Sequence, residues 1–455
     1  MATAKYMFLH FTNLKDIPNW SVQYADEEDL GFTKKFPMAR IGSFLVKSRD
    51  IIEVQDDVEY KQVTLKINNG GVVPRNNGAT LKGSKIGTKR QHVIHAGQFI
   101  LSKIDARNGA YGIVPSELEG AIVTNDFPVF DVDTKKIIPQ FLVLVSTTNK
   151  FVEFARKCSS GTTNRKRIDI DAFLNQQIPL PSIEEQVKIL SEYNKRILLS
   201  KDILKYKKEL GLQKEGYLKR ILKFEYKKNS HKGLLNFIFF RRIVRWDVQY
   251  FSSDYQVFSQ YETRTLGDSL SFFMKDHNSS LRIETNKCPN KTFHYIGMEN
   301  ILKEEGRLLN MPAVKGCDIK SQTVRIPKGF MIYGKLRPYL NKYWVNDTDI
   351  EDIVCSSEFF CFKPSESFNQ DYFKYILSSY IIQEQISDAM TGARMPRIDE
   401  NIFKQIIIPI PPISIQNNIA EALKDIDKQM IQMKDKADYL QREAFVSFQN
   451  TLFEL

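Results

Sequence analysis

The sequence is poor in cysteine and has no cysteine pair at a metal-binding spacing. No Cys-x-x-Cys pair occurs in the 455 residues, whose thiols are Cys158, Cys288, Cys317, Cys355 and Cys361. His92 and His95 lie close together, but no second cluster of ligands accompanies them, so we predict no metal site. An odd number of such cysteines is typical of the reducing cytosol, and we expect a cytoplasmic protein.

Long apolar runs and catalytic motifs are also missing. No stretch of about 18 apolar residues occurs, which excludes an ordinary membrane-spanning helix. The chain lacks the GxxxxGK(S/T) loop of nucleotide-driven motors and the (Asn/Asp)-Pro-Pro-aromatic loop of methyltransferases. Glu59-Tyr60-Lys61 after Asp57 is similar to a short nuclease pattern, but the second half of the chain does not repeat it. We therefore predict a non-catalytic binding protein with no cofactor of its own.

Acidic residues are fewer than basic residues in this sequence. Lys and Arg number 65 against 54 Asp and Glu, so the formal net charge is +11, and the isoelectric point is about 9.1. This balance favours a polyanionic partner such as nucleic acid, although a solvated basic surface would give the same composition. The length, with 42% hydrophobic residues, predicts two or three domains with real cores.

An internal repeat runs through the chain with a period of about 230 residues. Four short segments, called anchors here, recur in the same order at offsets of 226, 232, 232 and 230 residues. Gly42 likewise corresponds to Gly267. Four collinear matches of this kind indicate a duplicated half-chain. The paired anchors are Trp20–Tyr24 with Trp246–Tyr250, Gly97–Lys103 with Gly329–Lys335, Asn125–Phe130 with Ser357–Phe362, and Arg167–Ile189 with Arg397–Ile419.

Each half reads as a mixed α/β domain that ends in a strand and a Pro-x-Pro exit. Short apolar runs predict strands, and longer stretches predict helices. The predicted strands are Phe99–Ile104, Ile122–Phe130, Phe330–Leu336 and Ile353–Phe362, and the predicted helices are Ile138–Lys157 and Gln370–Met390.

A long helix follows each half. Ser182 and Glu185 form a capping-box pattern ahead of the first helix. The second helix carries an apolar seam with alternating gaps of four and three residues: Ile419, Leu423, Ile426, Met430, Met433, Ala437, Leu440 and Ala444. So narrow a seam favours pairing of the two helices in antiparallel fashion over packing of each helix on its own domain.

The predicted fold class is therefore α+β, with two repeated mixed α/β domains joined by two long helices that form an antiparallel coiled coil. The predicted boundaries are 1–180 for the first domain, 181–225 for the central helix, 226–245 for a basic and aromatic linker, 246–410 for the second domain and 411–455 for the C-terminal helix.

Basic and amide residues cluster on predicted loops, in part in both halves. Loops with glycine can approach a phosphate backbone closely, and Arg and Asn can contact guanine and adenine in bidentate fashion. For any single residue a solvated surface role is the commoner outcome, but the repetition of the set favours DNA. The candidate DNA-binding residues are Lys82, Lys85, Lys89, Arg90, Lys103, Arg107, Asn108, Arg165, Lys166, Arg167, Lys335, Arg337, Asn341, Lys342, Arg394 and Arg397.

The two copies of strand, Ile-Pro-x-Pro, Gln-x-x-Ile and long helix resemble the specificity subunits of type I restriction–modification systems. The resemblance covers essentially the whole chain and is most specific in Gly161–Ile189. It implies two target-recognition domains, each reading half of a bipartite double-stranded DNA site. It further implies a coiled coil that spaces these domains and docks two methyltransferase subunits, and a separate endonuclease and translocase subunit.

The same resemblance implies that S-adenosylmethionine, magnesium and ATP belong to the partner subunits. The helix residues expected to meet partners are Ile183, Gln186, Val187, Leu190, Ile197, Gln416, Ile419, Leu423, Ile426 and Met430. A specificity subunit of a fused-enzyme type II system is the alternative, and a stand-alone nuclease or regulator is a second one.

The second copy departs from the pattern at the start of its helix. Pro412 stands at the capping position, and Ser414-Ile415 replaces the two glutamates of the first copy. We therefore expect the second helix to start slightly later, with Ser414 as its cap.

Overall fold

The computed structural model describes residues 32, 35–67, 70–157, 159–160, 167–230, 253–273, 281–390 and 395–453. It divides into two compact units, of which one contains the residues up to Lys201 together with those from Ala437 onwards, and the other contains Asp202–Lys436. Each unit holds one sequence repeat and one part of each long helix. The first anchor, with Trp20 and Trp246, lies outside the described residues.

The first unit is built on short strands. Strands β1 to β15 are, in order, Met38–Arg40, Leu45–Lys47, Ile51–Glu53, Glu59–Tyr60, Val63–Lys66, Gly71–Pro74, Leu81–Lys82, Arg90–Ile94, Phe99–Leu101, Tyr111–Ile113, Ala121–Val123, Val129–Val132, Ser159–Ser160, Arg167–Ile168 and Gln177–Pro179. One antiparallel sheet has the order β10-β9-β12-β2, a second has the order β11-β8-β3, and β1 pairs with β15.

The second unit has a similar plan. Strands β16 to β28 are, in order, Glu225–Ser230, Ser253–Phe258, Glu262–Thr265, Leu270–Phe273, Arg282–Ile283, Thr292–Ile296, Ala313–Lys315, Thr323–Arg325, Met331–Gly334, Tyr343–Val345, Ile353–Ser356, Phe359–Pro364 and Ile407–Ile410. A five-stranded sheet runs β20-β23-β26-β21-β22, and β16 pairs with β17. The start of the predicted linker is thus a strand.

The two units repeat one another strand for strand around their main sheets. The order β25-β24-β27-β19 in the second unit corresponds to the order β10-β9-β12-β2 in the first. The pair β18-β28 corresponds to the pair β1-β15. The paired positions Gly42 and Gly267 favour glycine for the same steric reason in both copies. A Cβ added at Gly42 would lie 3.2 Å from the Leu174 carbonyl oxygen, and one at Gly267 would lie 3.3 Å from that of Lys404. The predicted duplication is confirmed.

Helices α1 to α8 are Pro139–Ser146, Asn149–Lys157, Ile170–Asn175, Ile183–Leu222, Gln370–Ser378, Tyr380–Ala389, Glu400–Gln405 and Ile413–Leu452. The helical stretch expected at Ile138–Lys157 is broken between α1 and α2, where the Thr147 and Thr148 hydroxyls donate to backbone carbonyls of the preceding turn. The stretch expected at Gln370–Met390 is broken at Ser379, whose hydroxyl caps α6.

Each unit has its own aromatic core. In the first unit, Phe99, Phe130 and Phe173 are fully buried between the sheet and α3, and the Phe173 ring centroid lies 6.3 Å from each of the other two. In the second unit, Phe362 and Phe403 occupy equivalent places, with ring centroids 5.9 Å apart, and the buried Met331 stands where the first unit has Phe99. The strand, strand and helix anchors of the repeat are therefore core positions.

The long helices pair in antiparallel fashion within the first unit. The Ser200 hydroxyl of α4 donates to the Ala437 carbonyl oxygen of α8 at 3.1 Å. Almost two turns earlier on α4, the Tyr193 ring packs edge-on against Phe448, which is later on α8, with 6.2 Å between centroids. Rising residue numbers on α4 thus meet falling residue numbers on α8, as the sequence predicted.

The second unit contains the same antiparallel arrangement of its own helix parts. Lys214 of α4 pairs with Asp427 of α8 at 2.7 Å, and its ammonium also lies 4.8 Å from the Tyr375 ring centroid. Gly211, earlier on α4, faces Met430, later on α8. The predicted fold class is confirmed.

The starts of the two long helices differ from each other in one respect. Ser182 and Glu185 form the predicted reciprocal capping box, with bonds of 3.0 and 3.3 Å. The expectation for α8 is wrong, because that helix starts at Ile413, so Ser414 lies inside it and is not its cap. The Pro412 carbonyl oxygen accepts from Ile415 and Gln416, which sets the first turn without a side-chain cap.

None of the helices in the described part of the chain is long and apolar enough to cross a membrane.

Candidate nucleic-acid interface

The first predicted basic cluster lies on a surface loop of the first unit, between β7 and β8. Lys82, Lys85 and Arg90 are exposed. Lys89 differs, because its ammonium pairs with Asp56 at 2.5 Å and donates to the Gly83 carbonyl oxygen at 2.8 Å. Three of the four predicted residues are thus free to approach a phosphate backbone, whereas Lys89 holds the loop together.

This loop covers a cavity of about 270 Å³ above the sheet β11-β8-β3. Gln62, Arg75, Asn76, Lys85, Thr88 and Gln91 are among the residues that line it. Gln91 lies on β8 opposite Ile52 of β3. Arg75 and Gln91 are not among the candidates predicted from the sequence. The Asn-Asn-Gly turn after Arg75 could have drawn attention to that loop, whereas nothing in the sequence distinguishes Gln91 from any other polar strand residue.

The second predicted cluster contains an ion pair that recurs in both units. Arg167 pairs with Asp126 at 3.0 Å in the first unit. Arg397 pairs with Glu358 at 3.0 Å in the second unit, through two nitrogens of its guanidinium. Each pair joins the third repeat anchor to the fourth. The predicted residues Arg165, Lys166 and Arg394 lie outside the described residues.

The predicted positions after β9 are half-buried. The Lys103 backbone bonds to the Asp126 carbonyl oxygen and to the Ile168 amide. The Asn108 amide donates to Asp105 at 3.2 Å, and Arg107 has a partner of its own. The Asn108 side chain helps to shape the turn, so its contact with DNA would compete with its bond to Asp105.

Most of the matched positions in the second unit bond within the domain. Asn341 is buried and donates to the Ser378 carbonyl oxygen at 2.8 Å. Lys342 donates to the Met298 carbonyl oxygen at 2.5 Å, and burial lowers the pKa of its ammonium. Lys335 donates to the Ser357 carbonyl oxygen, and burial lowers its pKa too. All three side chains are engaged inside the domain, and of this set only Arg337 is exposed.

The two predicted partner residues Gln186 and Gln416 lie in the first turns of the long helices and bond within their own domains. Gln186 is fully buried, accepts from the Ile138 amide at 2.8 Å and donates to the Lys136 and Pro181 carbonyl oxygens. Gln416 repeats this pattern, because it accepts from the Asn369 amide and donates to the Ser367 and Pro411 carbonyl oxygens. Each glutamine ties a helix start to its own domain, so neither amide is available to a partner.

The other predicted partner residues fall into two groups. Leu190, Ile419 and Leu423 are buried in the cores of their own units, and Ile426 packs against the second core. Val187 is 53% exposed, and Ile183, Ile197 and Met430 are half-buried. Exposed apolar side chains also stand on α4 in the first unit at Leu198 and Leu199, which the prediction left out.

His95 lies between two carboxylates at one end of the first unit. Its ring nitrogens are 2.6 Å from Glu119 and 2.8 Å from Asp50. The hydrogen bond to Glu119, followed by that to Asp50, raises the pKa of His95 above 6.5. His92 instead bonds to Asn125 at 2.8 Å. Across the described residues, no three His, Cys, Asp or Glu side chains are arranged to hold a metal ion.

Two curated proteins are similar to parts of this chain. The specificity subunit of the type I restriction enzyme MjaVIII from Methanocaldococcus jannaschii is 26% identical over 295 residues, which is 63% of this chain and 63% of that protein. The specificity subunit of the type I restriction enzyme HindI from Haemophilus influenzae is 26% identical over 98 residues, or 21% of each chain. The matched region thus spans less than two thirds of either relative.

Solved structures resemble the chain more distantly. A chain from a study of complex assembly and conformational transition in a type I R-M system has a TM-score of 0.46 and 15% identity, covering 92% of this chain and 98% of that one. The HsdS subunit from Thermoanaerobacter tengcongensis has a TM-score of 0.36 and 17% identity, covering 91% and 96%. Both values indicate a distant likeness without correspondence of individual residues.

The family described as "Type I restriction modification DNA specificity domain" matches residues 44–206 and 259–441. One match falls on each repeat, and each includes part of the long helix that follows. Since the two matches together cover well over half of the sequence, the chain belongs to the family of type I restriction modification DNA specificity domains.

Proposed function

We propose that this chain is the DNA-recognition subunit of a type I restriction–modification complex in the cytoplasm. The observation that carries the proposal is the duplication. Two copies of one α/β domain each match the DNA specificity family, and each is tied to the long helices through the same buried glutamine. Such a molecule is suited to reading a site with two separate parts.

In this proposal each repeat reads one half of a bipartite site in double-stranded DNA. In the first repeat the exposed Lys82, Lys85 and Arg90 meet the backbone phosphates, which position the domain but carry no sequence information. In the second repeat the exposed Arg337 is the candidate with the same role. Base edges are then read by other side chains of the same surfaces.

The long helices are proposed to space the two repeats and to dock two methyltransferase subunits. The exposed Val187, Leu198 and Leu199 on α4 are the candidate contacts, because apolar side chains that water surrounds gain most from being covered. A separate endonuclease and translocase subunit completes the complex. S-adenosylmethionine, magnesium and ATP are assigned to the partners, and this chain itself contributes recognition without catalysis.

Activity assays on separate and combined subunits test this proposal. The purified chain alone should neither methylate nor cleave DNA. Together with its methyltransferase partner it should direct methylation to one bipartite sequence. Methyl transfer or cleavage by the highly purified chain would contradict the proposal, as would non-specific methylation by the combined subunits.

A further inference from the structure

Gln91 of the first unit carries a buried hydrogen-bond acceptor that has no partner in the described structure. Gln91 is 1% exposed and lines the cavity beneath the loop between β7 and β8. Its amide nitrogen donates to the Thr88 carbonyl oxygen at 2.8 Å. Its Oε1 is buried and has no hydrogen-bond partner in the described structure. Buried polar atoms of folded proteins usually have a hydrogen-bond partner, so an acceptor of this kind at a cavity is open to a donor that enters the cavity.

The charge around the cavity indicates what can bring that donor. Arg75 and Lys85 both line the cavity and are exposed, and the described lining includes no carboxylate. A cation would meet only repulsion here, whereas a segment of nucleic acid would place phosphates near Arg75 and Lys85. The exposed Lys82 and Arg90 flank the loop that lines this cavity, so a backbone bound by them would lie close to it.

We propose that Gln91 Oε1 accepts a hydrogen bond from the exocyclic amino group of one base, adenine or cytosine, in the half-site that the first repeat reads. This inference rests on the proposed function and adds a residue, an atom and a class of base to it. One N–H of the Gln91 amide nitrogen is bonded to Thr88, whereas Oε1 has no partner, so Oε1 is the atom of Gln91 that gains most from a donor on the base.

An unpaired buried acceptor selects between bases. In the major groove adenine and cytosine present an amino donor, whereas guanine and thymine present oxygen acceptors. Against guanine or thymine, Oε1 would face another acceptor and stay unpaired. Loss of one neutral hydrogen bond at a buried acceptor corresponds to about a 10-fold loss of affinity.

Amine-deleted duplexes test the proposal in the assembled complex of this chain with its methyltransferase. The methylated motif is first read from host DNA. At each adenine or cytosine of the two half-sites, except the base that is methylated, the base is then replaced by its analogue without the amino group. With the unaltered chain, we expect one position in one half-site to lose about 10-fold in affinity.

The variant Gln91→Leu links that position to the residue. In the complex with Gln91→Leu, the native duplex and the amine-deleted duplex should bind equally at that position. Gln98→Leu is the matched control. Gln98 is a buried glutamine of the same unit whose amide bonds to the His95 amide and to Asp131, so its loss should leave the amine dependence unchanged.

The outcomes separate this inference from the function on which it rests. Specific binding without any amine-dependent position would overturn the inference alone, and so would undiminished amine dependence in Gln91→Leu. If Gln91→Leu does not fold, Gln91→Glu, which keeps an acceptor, must retain the dependence. A complex that binds no specific duplex would overturn the proposed function and the inference together.

Discussion

At the scale of single residues, two glutamines explain why both repeats carry the same Gln-x-x-Ile pattern at the start of the long helix. Gln186 and Gln416 each use both amide atoms and make three hydrogen bonds to backbone groups of their own domain. Those backbone groups belong to the segment before a short helix and to the Pro-x-Pro exit. The amide therefore fixes the direction in which the long helix leaves the domain.

Replacing Gln416 by Leu should destabilise the protein strongly. The substitution leaves the Asn369 amide and the Pro411 carbonyl oxygen without their partner, which costs about 2–4 kcal/mol in the free energy of unfolding. Gln432→Leu on the exposed face of the same helix is the control and should change that free energy by about 0.5 kcal/mol or less. Denaturant unfolding measures both, and equal midpoints for the two variants would contradict this role for Gln416.

The His95 cluster should make stability depend on pH in a defined window. The bonds to Glu119 and Asp50 raise the pKa of His95 above 6.5, and the Ala96 amide, followed by His95, lowers the pKa of Glu119 below 4.5. The histidine contribution is complete below pH 6.5 and is lost as pH rises through the raised pKa. The Glu119 contribution is present above pH 4.5 and is lost as pH falls through the lowered pKa.

The difference in melting temperature between the unaltered chain and His95→Gln should therefore be largest between pH 4.5 and 6.5. It should shrink at about two pH units above that window and with added salt, because the cluster is exposed to solvent. Thermal melts over a pH series measure it. A difference in melting temperature that grew towards high pH would contradict this prediction.

The residues most easily mispredicted from the sequence are polar ones whose role depends on burial. Asn341 and Lys342 follow a strand just as Arg107 and Asn108 do, and their side chains suit DNA. In the structure, Asn341 is covered because α5 ends beside it, with the Ser378 carbonyl oxygen as its partner. That hydrogen bond joins residues 37 positions apart, which no local pattern records. Gln91 was not predicted because its burial likewise depends on segments distant in the sequence.

At the scale of elements, the sequence predicted the long helices well and the smaller elements less well. Caps, apolar spacing and length together indicated both α4 and α8, and the antiparallel pairing followed from the seam. The interruptions at Thr147 and Ser379 and the start of α8 depend on bonds to neighbouring segments. The linker start at Glu225–Ser230 pairs with Ser253–Phe258, a partner that the composition of the linker gave no means to find.

The loop between β7 and β8 should contribute to the salt dependence of DNA binding. Neutralising Lys82, Lys85 and Arg90 together should weaken binding and lower the log–log salt slope by about 0.9 for each phosphate that the loop no longer neutralises. Lys135→Gln, at an exposed lysine of the same unit, should leave the slope unchanged. Affinity titrations over a salt series measure the slope, and an unaltered slope in the triple variant would place this loop away from DNA.

The helix pair should set the distance between the half-sites. The division between the two units falls between Lys201 and Asp202 in α4 and between Lys436 and Ala437 in α8. Inserting four residues at both points adds about 6 Å and little more than one helical turn, while duplex DNA rises about 3.4 Å per base pair. We expect the methylated motif to keep both half-sites and its unspecified gap to grow by one or two base pairs.

A two-residue insertion at the same two points is the matched control. It turns each helix by about half a rotation, which moves the apolar seams apart, so specific methylation should fall sharply. Both results are read by sequencing methylated bases in cells. An unchanged gap at full activity after the four-residue insertion would show that these helices do not set the spacing.

At the scale of the whole molecule, the chain contains two copies of one α/β domain. The sheet orders, the closely packed glycines, the arginine ion pairs and the buried glutamines recur at matched positions in both units. What differs between the units includes the loop over the Gln91 cavity and the strands β21 and β22, which extend the second unit's sheet beyond the three strands that it shares with the first. Shared frame and differing surfaces together are what two independent readers of DNA require.

Exchange of one repeat tests the central claim most directly. Residues 35–180 are replaced by the corresponding segment of a family member with a different target, and the methylated motif is sequenced in cells that carry the matching methyltransferase. The account predicts that one half of the motif changes to that of the donor while the other half and the gap stay as they were. A change in both halves at once would contradict independent reading by the two repeats.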